Sequence, residues 1–433
     1  MYAERRARLL SEMGPGVLVI PSAPVAIRNN DVEHAYRQDS NFFYLTGFDE
    51  PGSVLVLTNQ HAQHRMVLFV RKRDPERETW DGPRAGVDGA QKRFGADAAF
   101  HIEELADKLP DYLEDVKRLH YRVGLDHSFD AKVFTALDVV RRRARMKKTV
   151  PSEIVDPAVT LHEMRLVKSD DEIATMKRAA AVTRDAHLAA MRVAKPGRHE
   201  YEVEAEMVRV FRKAGCERPA YEPIVGSGRN ATILHYRKND RLMEDGDLLL
   251  IDAGCELDYY ASDVTRTFPV NGKYSAEQRA LYDVVLASQK AAIDACVVGA
   301  TVDGVHDVAT GVLVDGMIEL GLLEGEKEAI LAEGLHKKYY MHRTSHWLGM
   351  DVHDVGAYYL DGDPRPMQPG YVLTVEPGLY VADDADCDPK WRGIGIRIED
   401  DILVTEKGPE DLTADIPKDP DEVERILASF EKA

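Results

Sequence analysis

A chain of 433 residues with 44% hydrophobic and 30% charged content has a globular composition and enough length for two full cores. Its formal charge of −19 argues against a nucleic-acid partner, because phosphate binding requires a basic face. Four scattered cysteines make no disulfide framework, no run approaches the roughly 20 apolar residues that span a membrane, and MYAERRARLLSEMGPG lacks a signal-like apolar core, so a cytoplasmic protein is expected.

The first third reads as mixed α/β. A helix over 4–13 ends at Gly14-Pro15-Gly16, and the strand VLVI (17–20) follows. Further strands are predicted at NFFYLTGF (41–48), SVLVLT (53–58) and HRMVLFV (64–70), and helices over 102–115 and 129–145. Residues 149–170, with Pro151 and Pro157, read as a junction between an N-terminal α/β domain (1–165) and a C-terminal domain (166–433). Ser169 and Glu172 form a capping box that opens a helix over 170–194, and a second helix, 199–214, stops at Gly215. Strands are predicted around 222–226, 232–236, 247–253 and 257–268. In the last of these, Ala261, Asp263 and Thr265 share one face. Helices resume over 275–296, 303–320 and 325–335. Strands carrying Glu376 and Glu399 then precede a helix over 420–431.

Five residues in the C-terminal half carry the chemistry. Asp252, Asp263, His346, Glu376 and Glu399 each stand in or beside an apolar, turn-bounded run. A carboxylate in such a place is costly to bury unless something neutralises it. Two divalent ions supply +4 against four carboxylates and leave room for a bridging hydroxide, which makes a dinuclear metallohydrolase the leading reading. The oxygen-rich donor set favours Mn2+, with Co2+ or Zn2+ as alternatives. His235, His342 and His353 lie in neighbouring segments and suit a developing oxyanion or a leaving nitrogen. Arg397, two residues before Glu399, suits a carboxylate-orienting role. No Gly-x-Ser-x-Gly elbow and no dinucleotide fingerprint is present.

The chain also repeats itself. Met243, Gly246, Leu249, Ile251, Asp252 and Gly254 coincide with Met367, Gly370, Leu373, Val375, Glu376 and Gly378 at one offset, 124 (243 to 367, 252 to 376). Upstream, Gly197 and Val203 match Gly299 and Val305. A duplicated helix–helix–strand unit with a pseudo-twofold relation places Asp252 and Glu376 at equivalent positions on one pocket.

With these residues in view the sequence resembles aminopeptidase P, the Xaa-Pro aminopeptidase family of the pita-bread metallopeptidases. The stretches YRQDSNFFYLTGFDEPGSVLVL and HEMRLVKSDDEI carry the likeness in the first half. IVGSGRNATILHY, GDLLLIDAGCELDYYASDVTRTFPVNGKY, SHWLGMDVHDVG, VLTVEPGLY and RGIGIRIEDDILVTE carry it in the second. The resemblance implies an α+β protein, with a creatinase-like N-terminal α/β domain and a C-terminal pita-bread catalytic domain. It implies that Asp252 chelates one metal, that Asp263 and Glu399 bridge both, and that His346 and Glu376 complete the other shell. It further implies that Glu376 shuttles the proton of the attacking hydroxide, while His235, His342 and His353 line the substrate pocket. Substrates are then peptides with proline second. A prolidase restricted to Xaa-Pro dipeptides is the nearest rival, and a non-catalytic pita-bread binding module a more distant one. Relatives of this kind form homodimers and homotetramers, so the N-terminal domain is expected to mediate assembly, with Trp80 helping to wall a pocket. Arg343-Thr344, after His342, departs from the family pattern, where a small residue is expected.

Overall fold

The computed structural model describes residues 1–430 and divides the chain after Met164 into two compact units. In the first unit a six-stranded sheet runs in the order Ala98–His101, Met66–Val70, Val54–Thr58, Val17–Pro21, Arg118–His120, Glu153–Val155. Its middle pairs are antiparallel and its outer pairs parallel. The central strands are apolar throughout and almost wholly buried, as strands covered on both faces must be. Leu109, Leu113, Val133 and Val140, from helices Leu105–Leu113 and His127–Arg142, complete this core.

One expectation fails in this unit. The aromatic run 41–48 is not a strand but part of the helix Ser40–Thr46. Asp39 caps its N-terminus by accepting from the Phe42 amide at 2.8 Å, and Gly47 closes it in the left-handed conformation at φ 63°. Bracketing by cap and stop outweighs the β preference of the aromatics. The stretch 149–170 does hold the boundary between the units, and it is structured. It contains the edge strand Glu153–Val155 and the helix Ala158–Leu166, within which the unit boundary falls.

The second unit holds the repeat. Helices Asp170–Val193 and Glu200–Lys213 form the first pair, and Ala276–Asp294 and Val302–Glu319 the second. Each pair is followed by a three-stranded antiparallel sheet. One joins Ile224–Ser227, Leu248–Asp252 and Thr265–Pro269; the other joins Val372–Val375, Asp400–Thr405 and Gly408–Asp411. The equivalence reaches single hydrogen bonds. The Gly197 amide donates to the Met243 carbonyl at 2.9 Å, and Gly299 donates to Met367 at 2.9 Å. Met243 returns a bond to Arg198 at 2.8 Å, and Met367 to Ala300 at 2.7 Å. Val203 and Val305 are both fully buried.

Here, too, the backbone corrects the sequence. Residues 257–268 are not one strand: Asp258 and Tyr259 adopt φ 49° and 70°, which interrupts the extended chain, and Asp263 lies in an irregular stretch between Tyr260–Ala261 and Thr265–Pro269. Residues 232–236 form no strand, because the chain turns through the 3-10 segment Gly228–Thr232 and leaves the sheet. The last helix is Pro420–Phe430; position 431 of the predicted helix lies outside the described residues. Among the described residues no helix is long and apolar enough to cross a membrane.

Candidate metal centre

The repeat delivers Asp252 at the end of its strand and Glu376 just past the end of its own, and both line one cavity of about 840 Å³. Asp263, His346 and Glu399 line the same cavity, as do His235, His342, His353 and Arg397. Asp263 reaches it because the chain passes very close to Gly254: a Cβ there would lie 1.7 Å from the Ser262 carbonyl oxygen, so a side chain at 254 would push the Asp263 segment away. Asp401 fixes that segment from behind, its carboxylate accepting from the Asp263 amide at 3.2 Å and from the Ser262 hydroxyl at 3.0 Å.

The donor set fits divalent cations. Ligand atoms of Asp263, His346 and Glu399 lie within 4.8 Å of one another. His346 donates Nδ1–H to the Trp347 carbonyl at 3.1 Å, which turns Nε2 toward Asp263, 3.3 Å away, and Glu376, 3.8 Å away. Burial, reinforced by neighbouring carboxylates, raises Asp252 and raises Glu399 well above the usual range, and it lifts Glu376 to about 8. Burial would lower His346, but its contact with Asp263 prevails and raises it to about 9. Without cations, burial therefore disfavours the ionised forms of Asp252, Glu376 and Glu399. Positive ions would let the carboxylates ionise.

Arg397 serves a different partner from the one its sequence position suggests. Its Nη2 donates to Asp252 at 2.6 Å, Nη1 to the Tyr380 hydroxyl at 3.0 Å and Nε to the Thr265 hydroxyl at 3.0 Å. Thr265 in turn donates to Glu399 at 2.6 Å, so Arg397 orients Asp252 directly and Glu399 through Thr265. His342 donates Nδ1–H to the Arg343 carbonyl at 2.8 Å, and burial with Arg397 nearby lowers its pKa to about 3. The ring is neutral, and its Nε2 accepts from Tyr380 at 2.9 Å. His353 packs edge-on to His346, with ring centroids 4.3 Å apart, and His235 is exposed on the cavity wall.

Tyr221 went unnoticed in the sequence. Its hydroxyl lies 2.7 Å from Asp252 and 2.5 Å from Asp263, between two members of the donor set. Thr265, Tyr380 and Asp401 were missed as well. Yet Thr265 and Asp401 each stand two residues after a singled-out carboxylate, and Tyr380 stands four after Glu376. The even spacing is the one signal that points to them, although Asp263, Glu376 and Glu399 themselves lie outside the regular strands. Tyr221 carries no such signal. Cys255 is fully buried, and its thiol donates to the Ala179 carbonyl at 3.4 Å.

Comparison with known proteins agrees with this architecture. Metallopeptidase family M24 matches residues 174–406, and the aminopeptidase P N-terminal domain matches residues 2–121. The Xaa-Pro aminopeptidase of Escherichia coli (strain K12) is 44% identical over all of this chain and 98% of its own. The structure of Pseudomonas aeruginosa aminopeptidase PepP superposes with a TM-score of 0.98 at 49% identity, covering 100% of this chain and 98% of that one. Zinc-substituted Escherichia coli aminopeptidase P, in complex with product, superposes with a TM-score of 0.96 at 44% identity, covering 99% and 98%. With both domains matched and the likeness running end to end, the chain belongs to the aminopeptidase P group of metallopeptidase family M24.

Proposed function

We propose that this protein releases the N-terminal residue from peptides with proline in second position, using two divalent ions held by Asp252, Asp263, His346, Glu376 and Glu399. The observation that carries the reading is the convergence of those five donors in one cavity large enough for a short peptide. Asp263 and Glu399 would be shared between the ions, with Asp252 on one side of them and His346 and Glu376 on the other. The oxygen-rich set favours Mn2+ over softer metals. When bound, the ions supply Lewis acidity toward the scissile carbonyl and acidify the attacking water.

The remaining work falls to the side chains. The donor set closes the inner end of the cavity, so the substrate enters with its free amine first and its chain running outward. Among the described residues no guanidinium is bonded to Glu376 as Arg397 is to Asp252; its nearest basic groups are the imidazoles of His346 at 3.8 Å and His342 at 3.9 Å. It is the carboxylate placed to take the proton of the attacking water and deliver it to the leaving proline nitrogen. His353 and His235 offer N–H groups to the oxygen that gains negative charge. Tyr380 and Arg397 hold His342 neutral against the proline side of the cavity.

Hydrolysis of a dipeptide, a tripeptide and a longer peptide, each with proline second, tests the reading. Turnover of all three, or of the longer two, supports an aminopeptidase; turnover of the dipeptide alone establishes a prolidase. Assembly belongs to the same proposal. Trp80 is 85% exposed on the helix Pro75–Asp81, which supports a role for the N-terminal unit in contacts between copies, with Trp80 walling a partner's pocket. Sedimentation showing a fully active monomer would remove that part.

A further inference from the structure

The cavity mouth holds a cation that the reaction above does not use. Arg343 follows His342 directly, and its Nη2 donates to Asp303 in the first turn of the helix Val302–Glu319. The Tyr359 hydroxyl donates to the other Asp303 oxygen at 2.9 Å. All three residues line the cavity that contains the metal ligands. The Arg343 side chain is 57% exposed, and its Nε and Nη1 have no hydrogen-bond partner among the described residues. Asp303, bonded on both oxygens, therefore holds a guanidinium at the rim with donors left over. This is the position where the chain departs from the small residue its family resemblance predicts.

Charge and reach together indicate what those donors meet. The protein carries a net charge of −19, so a cation at the cavity mouth gives an anionic terminus a local partner that the overall charge does not. With the amine at the floor, a peptide runs outward at about 3.3–3.6 Å per residue, which takes the α-carboxylate of a third residue roughly 7 Å beyond the scissile bond. That distance leads toward the rim. A guanidinium is the side chain best matched to a carboxylate there. Arg237, also at the mouth, is a poorer candidate. Among the described residues its only charged partner is Glu222, at 3.4 Å and 72% exposed, a solvated pair that fixes neither side chain.

We propose that Arg343, held in place by Asp303 and Tyr359, is a specificity-determining residue that binds the free α-carboxylate of tripeptide substrates of the form Xaa-Pro-Yaa. The proposal rests on the aminopeptidase reading of the site. It is tested by comparing kcat/KM for Ala-Pro-Ala and its C-terminal amide with the metal-loaded enzyme. The wild type is expected to favour the free acid by about tenfold or more, the range of a hydrogen bond to a charged group. In Arg343→Ala that ratio falls to near one, Arg343→Lys retains part of it, and Arg237→Ala retains it in full. A wild-type ratio near one, a ratio that survives Arg343→Ala, or a ratio lost only in Arg237→Ala would overturn the proposal. Failure of the wild type to hydrolyse either peptide would overturn the reading beneath it as well.

Discussion

The two copies of the repeat share a backbone frame and diverge at the side chains that face the cavity. Asp252 ends its strand clamped, with Arg397 at 2.6 Å on one oxygen and Tyr221 at 2.7 Å on the other. Glu376, its equivalent, is one methylene longer and faces two imidazoles, His342 at 3.9 Å and His346 at 3.8 Å. The same split appears behind the strands. His187 and Gln289 stand ten residues before Gly197 and Gly299 and are both fully buried. His187 donates Nε2–H to the Ala253 carbonyl at 3.0 Å, whereas Gln289 donates to the Asp400 carboxylate at 2.5 Å. Duplication supplied the symmetry of the pocket. Divergence clamped one carboxylate with a guanidinium and a phenol and left the other beside two imidazoles.

Each half of that contrast can be broken separately. The largest effect is expected from Glu376→Gln, which keeps the shape of the side chain but removes its basicity: kcat should fall by about 10²- to 10⁴-fold. A variant with undiminished kcat would show that the proton moves elsewhere. Arg397→Met acts on the clamped half. In metal-free protein it leaves Asp252 buried without its cation and should cost about 3–5 kcal/mol by denaturant titration, with a smaller loss once divalent ions are added. An equal loss in both states would mean that Arg397 acts through packing alone. His353→Ala should lower kcat by about 10²-fold while metal content, measured by elemental analysis, stays at the wild-type level. Loss of metal from this variant would move His353 into the ligand set.

The smallest effect concerns pH. Burial, with Arg266 nearby, holds His187 down at about 4, below the ordinary histidine value of about 6.5. Between those values the unfolded chain binds a proton that the folded chain does not, so stability is full above about pH 6.5 and falls as pH drops toward 4. The loss is on the order of 3 kcal/mol. His187→Gln, which gives the first copy the residue of the second, should flatten that slope. Urea titrations at pH 7 and pH 4.5 that lose the same stability in variant and wild type would refute the assignment.

Much of this contrast was legible in the sequence because it depends on spacing. The offset that aligns Asp252 with Glu376 also aligns the two Gly-to-Met hydrogen bonds, so one pattern located the repeat and its shared pocket. Backbone detours were not legible. Nothing in 257–268 announces the left-handed pair Asp258 and Tyr259, and the alternation drawn through Asp263 assumed an extended chain that the structure interrupts. The helix Ser40–Thr46 was hidden by its aromatics, although Asp39 and Gly47 bracket it. Tyr221 was illegible for a different reason: it reaches Asp252 and Asp263 across 31 and 42 residues of chain, from a segment with no periodic relation to either.

The central claim is that these five side chains form a two-ion hydrolytic site. It is tested most directly by measuring divalent-ion content and Xaa-Pro peptide hydrolysis together, before chelation, after exhaustive chelation and after Mn2+ is restored, for the wild type and for Asp263→Ala and Glu399→Ala. The account predicts about two ions per wild-type chain, activity that vanishes on chelation and returns with Mn2+, and variants deficient in both metal and turnover. Full activity in the chelated wild type, or full metal content in both variants, would contradict it.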